Sequence, residues 1–466
     1  MNKGTQLFVR GKRKEKAMQE IKIIIGASYG DEGKGLAADY FGSRGSSDLV
    51  DLVNVLTNGG PQRGHTVEMP DGLRHVFKHF GAASFRGAAS YFDRQFLVNP
   101  MEFVREYEEL SSIHKAPMVF MHPDCRFTTP WDMMVNQMLR EKKGIHNSCG
   151  YGIWETVLRY QRGWGISFDT FAKMTRDDRL AYLRRIRDLY FYERIREIEN
   201  NRVEPAGKTP ETASFCTGTH NPFENFAAGL PYFRDMADCF FSEELLYHFE
   251  EDCECMRRLC PARPESFLKH FRTVIFENAQ GLLLDGNLKK EEEFTTPSTT
   301  GIGKVFQTVE RVFRGADAEV CYITRSYLTR HGDGPMENEI KGNQLRDQLP
   351  GVGADVTNVE NSFQGRLRYG MMDADLLVKR IQEDYARACG STQNHYRSSL
   401  MVTHMNEYAG VDTGLLADRF GTLYLSGGRT GRDVMTYSTG HRYCAVHPLS
   451  FSRISPRPYE VTGIAR

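Results

Sequence analysis

An α/β fold is what this sequence of 466 residues predicts: one large domain with a central, mainly parallel sheet flanked by helices. Three observations lead there. Short apolar runs of strand length recur along the chain, amphipathic stretches of helical length separate several of them, and glycine-rich turns follow some runs directly. Alternation of this kind suits an open parallel sheet with helices on both faces. Ligands of such sheets bind beyond the carboxyl ends of the strands. The turns after the apolar runs are therefore where chemistry is expected.

Taken in order, residues 1–20 form a basic stretch (Lys3, Arg10, Lys12, Arg13, Lys14, Lys16) that reads as a solvated tail. The domain proper is expected over 21–466. Ile21-Lys-Ile-Ile-Ile25 reads as a buried strand, and Leu36-Ala-Ala-Asp-Tyr-Phe41 as the start of a helix. Further strand-like runs lie at 52–56, 118–121, 274–276, 320–323, 400–403 and 422–426. Helix-like patterns cover 100–113, 131–142, 176–199 and 373–389. A charged stretch at 242–259 also carries apolar residues at roughly helical spacing. Residues 200–235, rich in Pro, Gly, Thr and Asn, read as a surface excursion, either an insertion or a mobile loop.

Composition excludes several classes. Sixty basic residues balance sixty acidic ones, so nucleic acid is not expected as the main partner. No apolar run reaches the roughly 18 residues of a membrane span, and 1–20 lacks the apolar core of a secretory signal. Ten cysteines without secretory features point to reduced thiols and a cytoplasmic setting. The tightest group, Cys253, Cys255 and Cys260, lacks the paired spacing of structural zinc and reads as helix packing.

The most informative stretch is Gly26-Ala-Ser-Tyr-Gly-Asp-Glu-Gly-Lys-Gly35. A glycine-rich turn between strand and helix aims backbone N–H groups at one spot, a phosphate cradle. It is P-loop-like without being a P-loop: Ser28 stands where the first glycine belongs, and Gly35 replaces the magnesium-binding hydroxyl. Alone, it leaves open the lesser reading of a glycine turn without ligand. A second motif is Asn58-Gly-Gly-Pro-Gln-Arg-Gly-His-Thr66, in which His65 is either a turn residue or a functional one. The third is Phe276-Glu-Asn-Ala-Gln-Gly-Leu-Leu-Leu-Asp285, where Gln280 either caps the turn or faces a ligand. The fourth, Thr324-Arg-Ser-Tyr-Leu-Thr-Arg-His-Gly-Asp-Gly-Pro335, is a basic, glycine-rich loop.

Together and in this order, the four resemble the adenylosuccinate synthetase family. The GDEGKG core, the Gly64-His65-Thr66 segment, Glu277 to Asp285 and Thr329 to Pro335 carry the resemblance, which runs from about residue 21 to about 435. It implies a ligase, usually dimeric, that phosphorylates O6 of IMP with GTP and lets aspartate displace the phosphate. Phosphoryl transfer depends on positioning and charge neutralisation. By resemblance, Asp31 is the base for purine N1 and, with the Gly64 carbonyl, a ligand of Mg²⁺. His65 is a general acid or donor at the β–γ bridge, Lys34 neutralises the moving phosphoryl group, and Gln280 bonds that group or O6. Gly30, Glu32, Gly33, Gly35 and Thr66 join the nucleotide site, with the amides of 30–35 holding phosphates. Gln62, Ser148, Cys149, Gly150 and Thr295 are assigned to IMP, together with Arg162 (or Arg159) lent across a homodimer.

Two segments depart from the family pattern. The aspartate loop, usually TTxGRRRR, is Asn361-Ser-Phe-Gln-Gly-Arg-Leu-Arg-Tyr-Gly370. Ser362, Gln364, Arg366 and Arg368 remain as aspartate-binding candidates, and two arginines can still fork around carboxylates. The guanine-reading TKxD is Thr403-His-Met-Asn406. His404 and Asn406, with Ser426, Gly427 and Gly428, are the base-binding candidates, and Asn406 offers both a donor and an acceptor, which suits ATP as well as GTP. The departures resemble a phage-type branch that converts dGMP to 2-aminoadenylosuccinate. Retention of Asp31 favours a purine without a 2-amino group, hence IMP or dIMP. A nucleotide-binding regulator without turnover is the reading from another class.

Overall fold

The computed structural model describes residues 19–44, 51–143, 149–199, 239–288, 294–353, 358, 365–388 and 394–437. Nearly all of the basic tail, the excursion at 200–235, and the candidates Ser148, Ser362 and Gln364 lie outside the described residues.

Nine strands form the central sheet. In chain order they are β1 (Glu20–Gly26), β2 (Leu52–Leu56), β3 (Ala89–Phe92), β4 (Val119–Met121), β5 (Thr273–Glu277), β6 (Asp317–Arg325), β7 (His395–Thr403), β8 (Thr422–Ser426) and β9 (Val434–Tyr437). Their spatial order is β9-β8-β7-β6-β1-β5-β2-β3-β4. Every neighbouring pair is parallel except β8 with β9. The inner strands β2 and β5 are buried along their whole length, as a sheet covered on both faces requires.

The strand period of two divides the core. Ile21, Ile23 and Ile25 face one apolar layer, together with Val305 and Val309 of the helix Gly303–Val312 and Leu377 and Ile381 of the helix Ala374–Ala388. Ile24 faces the other layer, which contains the helix Lys34–Arg44 and a large helical layer running from residue 100 to 260. Register aligns Ile24 with Glu277 and Gly26 with Ile323. The loops after β1, β5 and β6 therefore leave the sheet at one level.

The predicted elements and the observed ones agree closely at their buried centres. The helix Pro100–Ile113 has the expected bounds; Asn99 caps it by accepting from the Glu102 N–H at 3.3 Å, and proline occupies its first turn. Ser242 caps Glu243–Leu259, whose Cys253 packs in the core. The expectation of one α-helix over 176–199 is corrected: a π-helical turn, Ile186–Phe191, separates Arg176–Arg185 from Tyr192–Glu199. Its wider turn brings Ile186, Tyr190 and Phe191 into the core together. Strands β3 and β9 were not expected.

Candidate active site

All four motifs land at the carboxyl ends of parallel strands. The glycine turn after β1 is closed by the carboxylate of Glu32, a residue only 1% exposed. It accepts from Ser28 N–H at 3.0 Å, Gly30 N–H at 2.8 Å and Lys34 Nζ at 2.5 Å. Two glycines of the turn, Gly30 and Gly33, have φ of +96°. Asp31, between them, has φ of +59°, a conformation aspartate tolerates better than most residues. Lys34 and Gly35 open the following helix. A Cβ on Gly35 would lie 2.6 Å from the Thr66 carbonyl, so the helix and the Gly64-His65-Thr66 segment meet too closely for the hydroxyl of an ordinary P-loop.

The turn after β5 packs backbone to backbone on this cradle. A Cβ on Gly281 would lie 2.3 Å from Ser28 O, and one on Gly26 would lie 2.4 Å from Gln280 O. Gln280 has φ of +58°, and its buried Oε1 has no hydrogen-bond partner among the described residues. Asn58 joins the second motif to the third: its Oδ1 accepts from Ala279 N–H at 2.7 Å, and its Nδ2 donates to Ala279 O at 3.3 Å. Thr403 Oγ1, at the end of β7, donates to Glu32 O at 2.7 Å.

Glu277, Arg63 and His65 form a buried charge group. Arg63 donates to Glu277 Oε1 at 3.2 Å, Ala82 N–H donates to Oε2 at 3.1 Å, and His65 Nδ1 contacts Oε1. Burial alone would raise the Glu277 carboxyl, but Arg63, His65 and the Ala82 N–H outweigh it and hold it near 2. Burial and then the Arg63 charge push His65 down to about 4. His65 is thus a neutral imidazole donating from Nδ1 to an anionic Glu277.

Two cavities open over these loops. The first is lined by Gly33, Lys34, Gly35, Thr66, Arg325, His404, Asn406 and Gly428 among others. The second is lined by Tyr29, Gly30, Gln62, Cys149, Trp154, Gln280, Thr295 and Arg330 among others. Asp31, Lys34, Gly64 and His65 line both. A third space beside the second adds Gly150 to Asp31, Gln62 and Cys149.

Two sequence expectations, Glu32 and Arg159, are corrected, and the other candidates take the following places. Glu32 reaches neither cavity; it braces the turn, and it occupies the Gly30 N–H that was expected to hold phosphate. Arg159 is fully buried and paired with Asp132 at 2.9 Å, so it cannot be lent to another subunit. Arg162 lines neither of the two cavities of its own chain, as a residue lent across a dimer would not, and its Nη1 lies 2.9 Å from each Glu197 oxygen. Arg368 is committed to Glu339 at 2.9 Å and the Gly334 carbonyl at 2.7 Å, and Arg366 is exposed. Neither arginine lines the two main cavities. Ser426 is buried and donates to Gly428 O at 3.1 Å; of that turn, only Gly428 lines the first cavity.

Sequence reading missed other lining residues. Arg325 donates to the Asp31 carbonyl at 2.6 Å and lies over the Tyr327 ring, and Arg330 lies 4.9 Å from the Tyr29 ring centre. Trp154, 44% exposed, borders the second cavity. Arg325, Arg330 and His331 all stand inside the fourth motif, so the signal was present. Trp154 had none.

The sequence profile described as adenylosuccinate synthetase matches residues 23–188 and 246–387. The adenylosuccinate synthetase of Wolbachia pipientis subsp. Culex pipiens is 24% identical over 379 residues, covering 77% of this chain and 74% of that protein. That of Aquifex aeolicus is 24% identical over 341 residues, covering 69% and 65%. With that of Borrelia duttonii the match is 27% over 126 residues, and the chain spans just over a quarter (28%) of that relative's length. Two solved structures share the fold. A fully ligated adenylosuccinate synthetase from Plasmodium falciparum has a TM-score of 0.54 at 14% identity, covering 90% of this chain and 88% of that one. The succinoaminodeoxyadenylate synthetase of cyanophage S-2L, bound to dGMP and to dATP as an energy donor, has a TM-score of 0.54 at 15% identity, covering 91% and 97%.

Proposed function

The chain belongs to the adenylosuccinate synthetase family, whose members are ligases forming a C–N bond, and from that premise we propose that it joins L-aspartate to C6 of IMP. A nucleoside triphosphate drives the reaction through 6-phosphoryl-IMP, and the product is adenylosuccinate. The observation that carries this reading is the shared wall. Two cavities, one suited to a triphosphate and one to a purine monophosphate, meet at Asp31, Lys34, Gly64 and His65. A phosphoryl group passing from one ligand to the other has to cross there.

Each residue then has work its chemistry suits. Asp31 takes the N1 proton of the purine and makes O6 nucleophilic. Lys34, held by Glu32, presents its charge to the phosphoryl oxygens. Gln280 offers a buried amide to O6. Neutral His65 becomes a proton donor when phosphate charge beside it raises its affinity for a proton. Thr295, Gln62 and Cys149 border the monophosphate cavity.

The described residues contain no cluster of three or more His, Cys, Asp or Glu able to hold a metal. Asp31 and Gly64 line both cavities, and a carboxylate and a backbone carbonyl are hard oxygen donors. That set fits Mg²⁺, which keeps waters and takes phosphate oxygens. Asp31 and Gly64 would hold it, and when bound it would neutralise phosphoryl charge.

Asn406, exposed on the rim of the triphosphate cavity, suits ATP as donor in place of or beside GTP. A homodimer in the cytoplasm accompanies this reading, and sedimentation with and without IMP tests the dimer. No helix among the described residues is long and apolar enough to cross a membrane.

The test is a product assay with Mg²⁺ and aspartate, crossing IMP, dIMP and dGMP with ATP and GTP and identifying products by mass. Adenylosuccinate, or its deoxy form, from IMP or dIMP is the expected result. Product from dGMP alone would replace the purine assignment. Nucleotide binding without any product would replace the ligase by a regulator.

A further inference from the structure

Asp31, on the wall shared by the two cavities, has a left-handed backbone with φ of +59°. A sparsely populated conformation of this kind persists only where the surrounding structure holds it. Here the hold comes from the sheet. Arg325 is the last residue of β6 and Thr403 the last of β7, and the two are register partners. They grip successive carbonyls of the glycine turn. Arg325 Nε donates to Asp31 O at 2.6 Å, and Thr403 Oγ1 donates to Glu32 O at 2.7 Å. Arg325 is itself anchored. It is buried, its guanidinium lies 5.7 Å from the Tyr327 ring centre, and its Nη1 donates to the Tyr327 hydroxyl at 3.2 Å. That hydroxyl donates in turn to Glu407 Oε2, and the Tyr327 side chain packs with Ile340 and Leu349.

We propose, resting on the ligase reading, that Arg325 is a positioning residue for phosphoryl transfer: its Nε–H holds the Asp31 peptide so that the Asp31 carboxylate stays on the shared wall. A peptide group is planar, so fixing its carbonyl fixes the backbone rotation after the Asp31 Cα. The direction of the Asp31 side chain relative to the cradle is then set as well. The bond takes the main-chain oxygen, so both carboxylate oxygens keep the work already given to them. A reacting group misplaced by about 1 Å can cost about 10²-fold in rate. Arg325 acts through Asp31 and needs no contact with the reacting atoms.

The experiment compares wild type with Arg325→Gln, Arg325→Lys and Arg325→Met. Gln places an N–H at the same point along the side chain as arginine Nε and removes the charge. Lys keeps the charge and puts a methylene there. Met keeps an unbranched chain with neither. Two quantities are read: kcat at saturating IMP, aspartate and the better triphosphate, and hydrogen exchange by mass spectrometry over residues 26–36 of the ligand-free protein. In Met and Lys, kcat should fall by about tenfold or more, and the turn should exchange faster by about fivefold or more. In Gln, both should stay within about threefold of wild type. A merely structural role lowers Gln and Lys alike, since each gives up the guanidinium packed on Tyr327. Met within threefold of wild type overturns the inference. Lys near wild type with Gln as low as Met overturns it too, and so do Gln and Lys equally low; all three leave the ligase reading standing. A wild type that makes no product overturns the ligase reading alone if exchange follows the expected pattern, and both if it does not.

Discussion

Behind the phosphate cradle, two buried carboxylates are each tied from more than one side. Glu32 holds Ser28, Gly30 and Lys34, Glu277 holds Arg63, His65 and Ala82, and glycines 26 and 281 let two turns touch backbone to backbone. At the ribbon formed by Leu328–His331 and Leu367–Gly370 the arrangement differs. Arg368 there bonds Glu339 and the Gly334 carbonyl, and both its own side chain and that of Glu339 are partly exposed. The first region presents its groups before any ligand arrives, as electrostatic catalysis requires. If the proposed reading holds, Arg368 in the second region has to release internal bonds before it can grip aspartate. Under that reading the preorganised region serves phosphoryl transfer, and aspartate binding by Arg368 is coupled to a rearrangement.

The largest expected effect breaks the preorganised side at its reactive centre. Asp31→Ala should lower kcat on the order of 10²–10⁴-fold, the range for losing a general base. IMP binding measured by calorimetry should change little. Turnover near wild type in that variant removes Asp31 as the base.

Next comes the bracing. Glu277→Ala leaves Arg63 charged, fully buried and unpaired, and should cost about 3–5 kcal/mol in urea unfolding. The pH dependence has a fixed sign. His65 has its pKa lowered from 6.5 to about 4, by burial first and Arg63 second, so protonation favours the unfolded chain. Its share of stability is complete above about pH 6.5 and is lost as pH falls toward 4. Glu277, lowered from 4.5 to about 2, contributes stability that is complete above about 4.5 and is lost toward 2. Melting scans of wild type and His65→Gln from pH 7 to 5 should show a shallower fall in the variant. Buried His79, also pushed well below 6.5, keeps the slope from vanishing. Equal slopes would mean that His65 is already charged in the folded protein.

The same contrast explains what could be read from sequence. The cradle, the Gly64-His65-Thr66 segment and Gln280 were legible because strand, glycine turn and polar residue are contiguous in the chain. Strand β3, Ala-Ser-Tyr-Phe, was not: four residues with serine second carry too little apolar pattern, and its place between β2 and β4 comes from tertiary packing. Nor was the fate of the arginines. Arg159, Arg162 and Arg368 look alike in sequence, but Asp132, Glu197 and Glu339 claim them from 27, 35 and 29 residues away. Partner choice at that separation depends on the fold, which local pattern does not encode. Glu32 shows the reverse error, since a residue inside a binding motif can serve the motif's shape alone.

On the aspartate side, Arg368→Leu should raise KM for aspartate on the order of tenfold, the worth of one charge-assisted hydrogen bond. Stability should move by less than about 1 kcal/mol, since the Arg368–Glu339 pair is partly exposed. KM for IMP should hold. An unchanged aspartate KM means that Arg368 never leaves Glu339, and the rearrangement inferred from the comparison would be absent.

The smallest effect is expected at the rim of the triphosphate cavity. Asn406 is exposed there, two residues after His404, whose φ of +59° turns the chain outward. Asparagine presents a donor and an acceptor; aspartate presents acceptors only. Guanine offers two donors from N1 and N2, and adenine offers an acceptor beside one donor. Asn406→Asp should therefore move the GTP:ATP ratio of kcat/KM toward GTP. Because the contact is solvent-accessible, the shift should be only about 3- to 10-fold, or roughly 0.7–1.4 kcal/mol. It should leave KM for IMP untouched, because Asn406 does not line the purine cavity. A ratio that stays put would place the base against another part of that rim, with Arg429 and Glu407 as the next groups to change.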